Sequence, residues 1–274
     1  MLTEQQRKDR RLGIGGSDVP IIMGQSSFMT PVQLWLQKRG ELELDDTQSP
    51  QAYWGSMLED LVRQEFVKRN NVTVEQPDTI MHSKYEYLRG NLDGYIPELD
   101  AVLEVKTCNQ FMSHEWGQDG TGIPRRYLLQ IAFYCMVKNA SKAYCAVLIG
   151  GQDYREYEYV RDEWLEDEIL EACHKFWSCV QSGEQPAAQY ADMKYLYKGD
   201  TDKSIVMQAE HFEKLKTLRD IKVQRTLLDK AEEITKFNIM DYMKDAEYLT
   251  DNDGKVLVSW KANKRGRTFL VKGE

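Results

Sequence analysis

Gly90-Asn91-Leu92-Asp93-Gly94-Tyr95-Ile96-Pro97-Glu98-Leu99-Asp100-Ala101-Val102-Leu103-Glu104-Val105-Lys106 reads as two strands joined by a proline-containing turn. Side chains alternate along a strand, so Glu104 and Lys106 share one face and Val105 points to the other, into a core. Pairing the two strands brings Asp93 beside Glu104 and Lys106. Two carboxylates next to an ammonium suit a hard divalent cation and a water nucleophile beside a phosphodiester. The same spacing also occurs by chance in surface hairpins, where Glu and Lys form a weakly stabilising pair. The apolar run Ala101-Val102-Leu103 leads into Glu104 and favours an internal strand, where charges are costly unless partnered.

Working outward, 274 residues with 42% hydrophobic content can bury a substantial core, in one large domain or one domain plus an appendage. The N-terminus is polar and charged and lacks the apolar stretch of a signal peptide. The most apolar window, 131–137, is far too short to span a bilayer. The five cysteines form no CxxC pair, which points to reduced thiols and a cytoplasmic location. A net charge of −8 argues against nonspecific nucleic-acid binding by the surface as a whole, although a basic channel can coexist with an acidic exterior. Basic residues concentrate near the N-terminus, at Arg125-Arg126 and towards the C-terminus.

In Arg11-Leu12-Gly13-Ile14-Gly15-Gly16-Ser17-Asp18, Ser17 or Asp18 is placed to cap the short apolar helix that follows, and a helix start beside an arginine is an anion site. Pro31 starts a helix that Gly40 ends. Residues 55–69 form a helix on the 3/4 spacing of Leu58, Leu61, Val62 and Phe66, with Glu59 at the border of its apolar stripe. Strands are expected near 72–75 and 81–83. The apolar helix 125–138 carries Gln130 at its middle, an amide that needs partners or faces a site. Strands over 142–149 and 154–160 and a helix over 162–182 follow. The expected organisation is a core domain over 1–185, an irregular linker over 186–202, and an extension over 203–274 with one or two helices and a basic hairpin. At the hairpin tip stand Lys264 and Arg265, with Trp260 nearby as a stacking surface; the hairpin is either a solvated basic element or a phosphate-contacting finger.

Taken together, Arg11 to Asp18, Trp54 to Glu59, Gly90 to Gly94, Glu104-Val105-Lys106 and Tyr127 to Gln130 resemble the YqaJ-type viral recombinases and the exonucleases related to that of phage lambda. These belong to the restriction-endonuclease-like superfamily. The resemblance spans roughly residues 8–180 in consistent order, and five ordered motifs are far more specific than any one of them. It implies an α/β fold with a central mixed β-sheet flanked by helices, followed by the helical and hairpin extension. It assigns Asp93, Glu104 and the Val105 carbonyl to Mg²⁺, with Mn²⁺ as a substitute. Glu59 becomes a ligand for a second ion. Lys106 becomes the catalytic group that positions or deprotonates the attacking water and offsets developing charge, and Gln130 orients in the same site. Arg11 and Ser17 would hold a terminal 5′-phosphate. Asn91, which stands where some relatives carry serine, joins the DNA-binding set with Lys264 and Arg265.

The resemblance implies a Mg²⁺-dependent 5′→3′ exonuclease acting on double-stranded DNA ends in a phage or prophage recombination system. It would form ring trimers and leave 3′ single-strand tails for an annealing protein, with no membrane involved. The alternatives are a structure-specific endonuclease on the same fold and a non-catalytic DNA-binding scaffold. An iron–sulfur relative is disfavoured, because no four cysteines are suitably placed.

Overall fold

The structure is a computed structural model that describes residues 10–43, 49–117, 122–197, 199, 203–264 and 266–272. The chain forms two compact units, residues 1–199 and 200–274.

The first unit is built on a four-stranded sheet in the order β3-β4-β5-β6. These strands are Gly94–Ile96, Ala101–Cys108, Lys142–Ile149 and Asp153–Val160. β4 and β5 are parallel and the two outer pairings are antiparallel, so the sheet is mixed. A parallel pair needs a long crossover, and helix α4 (Arg125–Lys138) supplies it. A two-stranded ribbon, β1 (Ile80–Met81) with β2 (Arg89–Gly90), precedes the sheet.

Alternation along β4 sorts its side chains between two packed layers. Leu103 and Val105 join Val62 and Phe66 of helix α3 (Pro50–Asn70) and Ala146 of β5 in one apolar cluster. Val102 faces the larger cluster, which includes Leu129 and Phe133 of α4, Trp35 of α2 (Pro31–Arg39), and Ile169 and Phe176 of α5 (Glu163–Ser182). The central mixed sheet flanked by helices is the architecture the sequence led us to expect. Thr30 and Asp162 cap α2 and α5, and Gly40 and Gly183 end them at φ 75° and 79°, a region glycine enters without strain.

Three local expectations change. Glu75 makes a single bridge to Tyr95 rather than belonging to a strand over 72–75, because its neighbours have no ladder to join. Neither Ser17 nor Asp18 caps helix α1 (Val19–Ile22) by a side-chain hydrogen bond; Asp18 folds back onto the Gly15 N–H at 2.9 Å. In the second unit, helix α7 (Ala209–Met243) is continuous and is followed by an unforeseen strand, β7 (Tyr248–Thr250). That strand pairs with β8 (Val256–Asn263) of the expected hairpin, whose other arm is β9 (Gly266–Val271). Among the described residues no helix is long and apolar enough to cross a membrane.

Candidate active site

The pairing of β3 with β4 sets Gly94 opposite Leu103. One step further along the same register places Asp93 opposite Glu104. Asp93 does not float there, because its Oδ2 accepts the Val105 N–H at 2.8 Å. Gly94 is required beside it, since a Cβ at that position would lie 2.4 Å from Val74 Cγ1. Arg63, one turn after Glu59 on α3, donates to the Asp93 carbonyl at 2.9 Å and pairs with Glu59 at 3.5 Å and Asp60 at 2.7 Å. The two carboxylate-bearing elements are thereby locked together.

Glu104 is the most unusual group in the unit, a carboxylate with only 1% of its surface exposed. Its Oε1 forms an ion pair with the Lys106 ammonium and accepts from Gln130 Nε2 at 2.8 Å. Its Oε2 is buried and has no hydrogen-bond partner. Gln130 also donates to the Tyr134 hydroxyl at 3.3 Å, one turn further along α4.

The electrostatics follow from this crowding. Burial pushes the Glu104 carboxyl up, the Lys106 ammonium pulls it back, and Asp93 and Glu59 add to the rise. Burial also raises Asp93, against Lys106, the Val105 N–H and Arg63. Glu59 is raised by burial first and by Asp93 second. Burial alone would pull the Lys106 ammonium down, but Glu104 and Asp93 outweigh it and the net shift is upward. Lys106 is therefore held protonated. Three carboxylates raise one another here, with an orphaned buried oxygen among them, and carboxylate oxygen is the donor type that hard cations take. Among the described residues no three His, Cys, Asp or Glu side chains are grouped closely enough to hold a metal ion. The carboxylate oxygens nonetheless fit Mg²⁺ in donor chemistry. An open carboxylate site of this kind is normal for an ion that keeps several waters.

A cavity of about 860 Å³ adjoins this cluster and is lined by Arg10, Ser17, Lys38, Arg89, Asn91 and Tyr134 among others. Tyr134 is its shared wall with the carboxylates. The Gly16 backbone rests on that ring so closely that a Cβ would lie 2.5 Å from it. Ser17 and Asn91 line the cavity. Arg11 does not; its guanidinium lies over Gly40, and Arg10 and Arg89 supply the cavity's arginines instead. Arg10 lines the cavity while staying exposed, and the backbone bonds of Ile14 to residues 87 and 89 set this segment beside Arg89.

Sequence reasoning missed Arg10, Lys38, Arg63, Arg89 and Tyr134. Arg63 and Tyr134 had a signal, being four residues after Glu59 and Gln130 on the same helix faces. The other three come from segments that only folding brings together. In the second unit, Lys264 is exposed at the hairpin turn, while Arg265 lies outside the described residues. Trp260 is not an open stacking surface on both faces, because Arg267 lies 3.8 Å over its ring and donates to the Trp260, Lys244 and Ala246 carbonyls.

Comparison with known proteins bears on this arrangement. Residues 6–141 match the model of the YqaJ-like viral recombinase domain. The chain is 37% identical over 250 residues to the protein YqaJ of Bacillus subtilis (strain 168), covering 88% of this chain and 78% of that one. The chain belongs to the YqaJ-like viral recombinase family. All the carboxylates of the cluster, with Lys106, Gln130 and Tyr134, lie inside the matched viral recombinase segment. The fold is also similar to that of an alkaline exonuclease from Laribacter hongkongensis, at 16% identity and a TM-score of 0.57, covering 66% of this chain and 94% of that one. The same exonuclease in complex with dAMP gives 17% identity, the same coverage and a TM-score of 0.57.

Proposed function

We propose that this viral recombinase family member is a Mg²⁺-dependent 5′→3′ exonuclease of double-stranded DNA. The observation that carries the reading is the buried Asp93–Glu104–Lys106–Gln130 cluster with its unpartnered Glu104 oxygen, opening beside a cavity furnished with arginines, Ser17 and Asn91. A nucleotide phosphate is the ligand such a pairing of acid cluster and basic cavity fits. The dAMP complex of the similarly folded exonuclease supports a nucleoside monophosphate as product.

Asp93, Glu104, the Val105 carbonyl and, for a second ion, Glu59 would hold Mg²⁺, with Mn²⁺ as a substitute. When bound, the metal supplies an acidified water and neutralises phosphate charge. The remaining work falls to the chain itself. Lys106, held as an ammonium, offsets the charge that builds on the phosphoryl oxygens and does not act as a base. Gln130, braced by the Tyr134 hydroxyl, fixes the orientation of Glu104. Asp93 is aimed by the Val105 N–H and by Arg63. Water oxygen bonds to phosphorus, the P–O3′ bond breaks, and the departing 3′ oxygen takes a proton. Each cycle releases a 5′-mononucleotide and leaves a fresh 5′-phosphate on the shortened strand. A cavity that binds that phosphate would favour repeated action from one end.

In this reading the enzyme leaves 3′ single-strand tails for an annealing protein of a phage or prophage recombination system, acts in the bacterial cytoplasm, and assembles as a ring trimer around DNA. The test is digestion of linear duplexes with 5′-phosphoryl or 5′-hydroxyl ends, and of a closed circle, in Mg²⁺. We expect loss of linear strands from their 5′ ends, a spared circle and an inactive Lys106→Ala variant. Nicking of the circle would replace the reading with an endonuclease at the same cluster.

A further inference from the structure

Lys38 is a lysine in the wrong place for its chemistry. It belongs to α2, has 7% of its surface exposed, and lines the cavity. An ammonium has three hydrogens to donate. Here the Arg10 carbonyl at 2.7 Å, the Gly13 carbonyl at 2.7 Å and Asp18 Oδ2 at 2.5 Å take all three. Lys38 therefore has no donor left for a ligand, and its charge is matched by Asp18, itself 3% exposed.

What these three acceptors have in common is position. Arg10 and Gly13 lie just before Ser17, and Asp18 just after it. Ile14 is tied to the Tyr87 carbonyl at 2.6 Å and to the Arg89 N–H at 2.9 Å. Asp18 closes the turn on itself, its Oδ2 accepting the Gly15 N–H and its own N–H donating to the Gly15 carbonyl at 2.9 Å. Gly15 and Gly16 give this turn little stiffness of their own, and Gly16 cannot be replaced without striking Tyr134. A glycine turn that must present Ser17 and Arg10 to a cavity needs an external brace, and Lys38 grips it on both sides.

We propose that Lys38 is a positioning residue for terminal-phosphate binding, acting through Asp18 and the carbonyls of Arg10 and Gly13 to fix Arg10 and Ser17 against the cavity. This rests on the proposed reading of the cavity as the seat of a 5′-phosphate. Asp18 completes the device: unpaired, its carboxylate would repel a phosphomonoester, and Lys38 cancels that repulsion without competing for the ligand.

Removing Lys38 alone strands a buried carboxylate and endangers the fold. The informative variant is therefore the neutral pair Lys38→Met with Asp18→Asn, in which the substituted amide oxygen can still accept the Gly15 N–H. Its thermal unfolding and circular dichroism first establish that it folds. KM and kcat are then measured in Mg²⁺ on duplexes with 5′-phosphoryl and with 5′-hydroxyl ends. We expect KM on phosphoryl ends to rise about tenfold, the scale of one or two misplaced charge-assisted hydrogen bonds. KM on hydroxyl ends and kcat at saturation should change far less, so that the wild-type preference collapses. Hydrogen exchange over residues 13–18 should quicken in the variant and not elsewhere in the sheet. A folded variant that keeps the wild-type preference, or that loses kcat with KM unchanged, would overturn the assignment of Lys38. A wild-type enzyme indifferent to the terminal phosphate would instead overturn the cavity reading, and that result is in hand before any variant is assayed.

Discussion

Lys106→Met should do more than silence catalysis; it should steepen the dependence of the fold's stability on pH. The variant keeps the aliphatic stem and removes the charge that faces Glu104. Glu104 is 1% exposed, so it is left as a buried carboxylate whose ionic partner is gone. Breaking a buried ion pair in this way costs about 3–5 kcal/mol. The lower end applies here, because Gln130 still donates to Oε1 at 2.8 Å. For a unit of roughly 200 residues, about 3 kcal/mol lowers Tm by about 6–12 °C. The sign follows from the causes acting on Glu104. Burial raises its folded-state pKa, and the variant removes the Lys106 charge that opposed the rise. A carboxyl whose folded pKa lies above its unfolded value binds its proton more tightly in the native state, so stability falls as pH rises. The cost is therefore largest at alkaline pH and fades as pH falls towards the ordinary glutamate value of about 4.3. Thermal unfolding in EDTA at pH 8.5 and pH 5 measures it, with Glu104→Gln/Lys106→Met as the companion that removes both charges. An equal Tm loss at both pH values, or a double variant as unstable as the single one, would refute the electrostatic account.

The remaining predictions probe the site from other sides. Mg²⁺ at ten times its dissociation constant should stabilise the protein by about 1.4 kcal/mol, read as a Tm rise that Asp93→Asn abolishes; an unchanged Tm in the wild type would count against the carboxylates as a metal site. Arg10→Ala and Arg89→Ala should each weaken binding of 5′-phosphoryl ends by about 1.5–3 kcal/mol, the scale of a hydrogen bond to a charged group, whereas Arg11→Ala should leave it nearly unchanged; the reverse order would mean the cavity is not the phosphate site. Tyr134→Phe loses only the 3.3 Å bond from Gln130 and should lower kcat by a few fold, about 0.5–1 kcal/mol. Gly16→Ala, which drives a Cβ into the same ring, should be far more damaging; equal effects would separate Tyr134 from the glycine turn. Lys264→Ala should reduce the slope of log affinity against log salt by about one, and an unchanged slope would make the hairpin a solvated element.

The sequence carried the parts of this protein that depend on neighbours along the chain. The period-2 run through β4 put Glu104 and Lys106 on one face, because pleating leaves no other choice. Gln130 stood out as an amide in the middle of the apolar helix α4, where it needs partners, and the end of α2 followed from Gly40. What it could not settle was anything set by packing between distant segments. The family resemblance assigns Arg11 to a terminal phosphate, whereas the cavity is lined by Arg10 and by Arg89, which no local pattern singles out; backbone bonds from Ile14 to residues 87 and 89 bring these two segments together. Lys38 looked like an ordinary basic residue in the last turn of a helix, and Asp18 like a cap. Only the approach of α2 to the N-terminal segment makes them a buried pair, because a 2.5 Å contact between residues twenty positions apart is a property of the packed chain and not of its periodicities. Composition set the means for an acidic cluster beside a basic cavity; tertiary structure decided which acids and which bases meet.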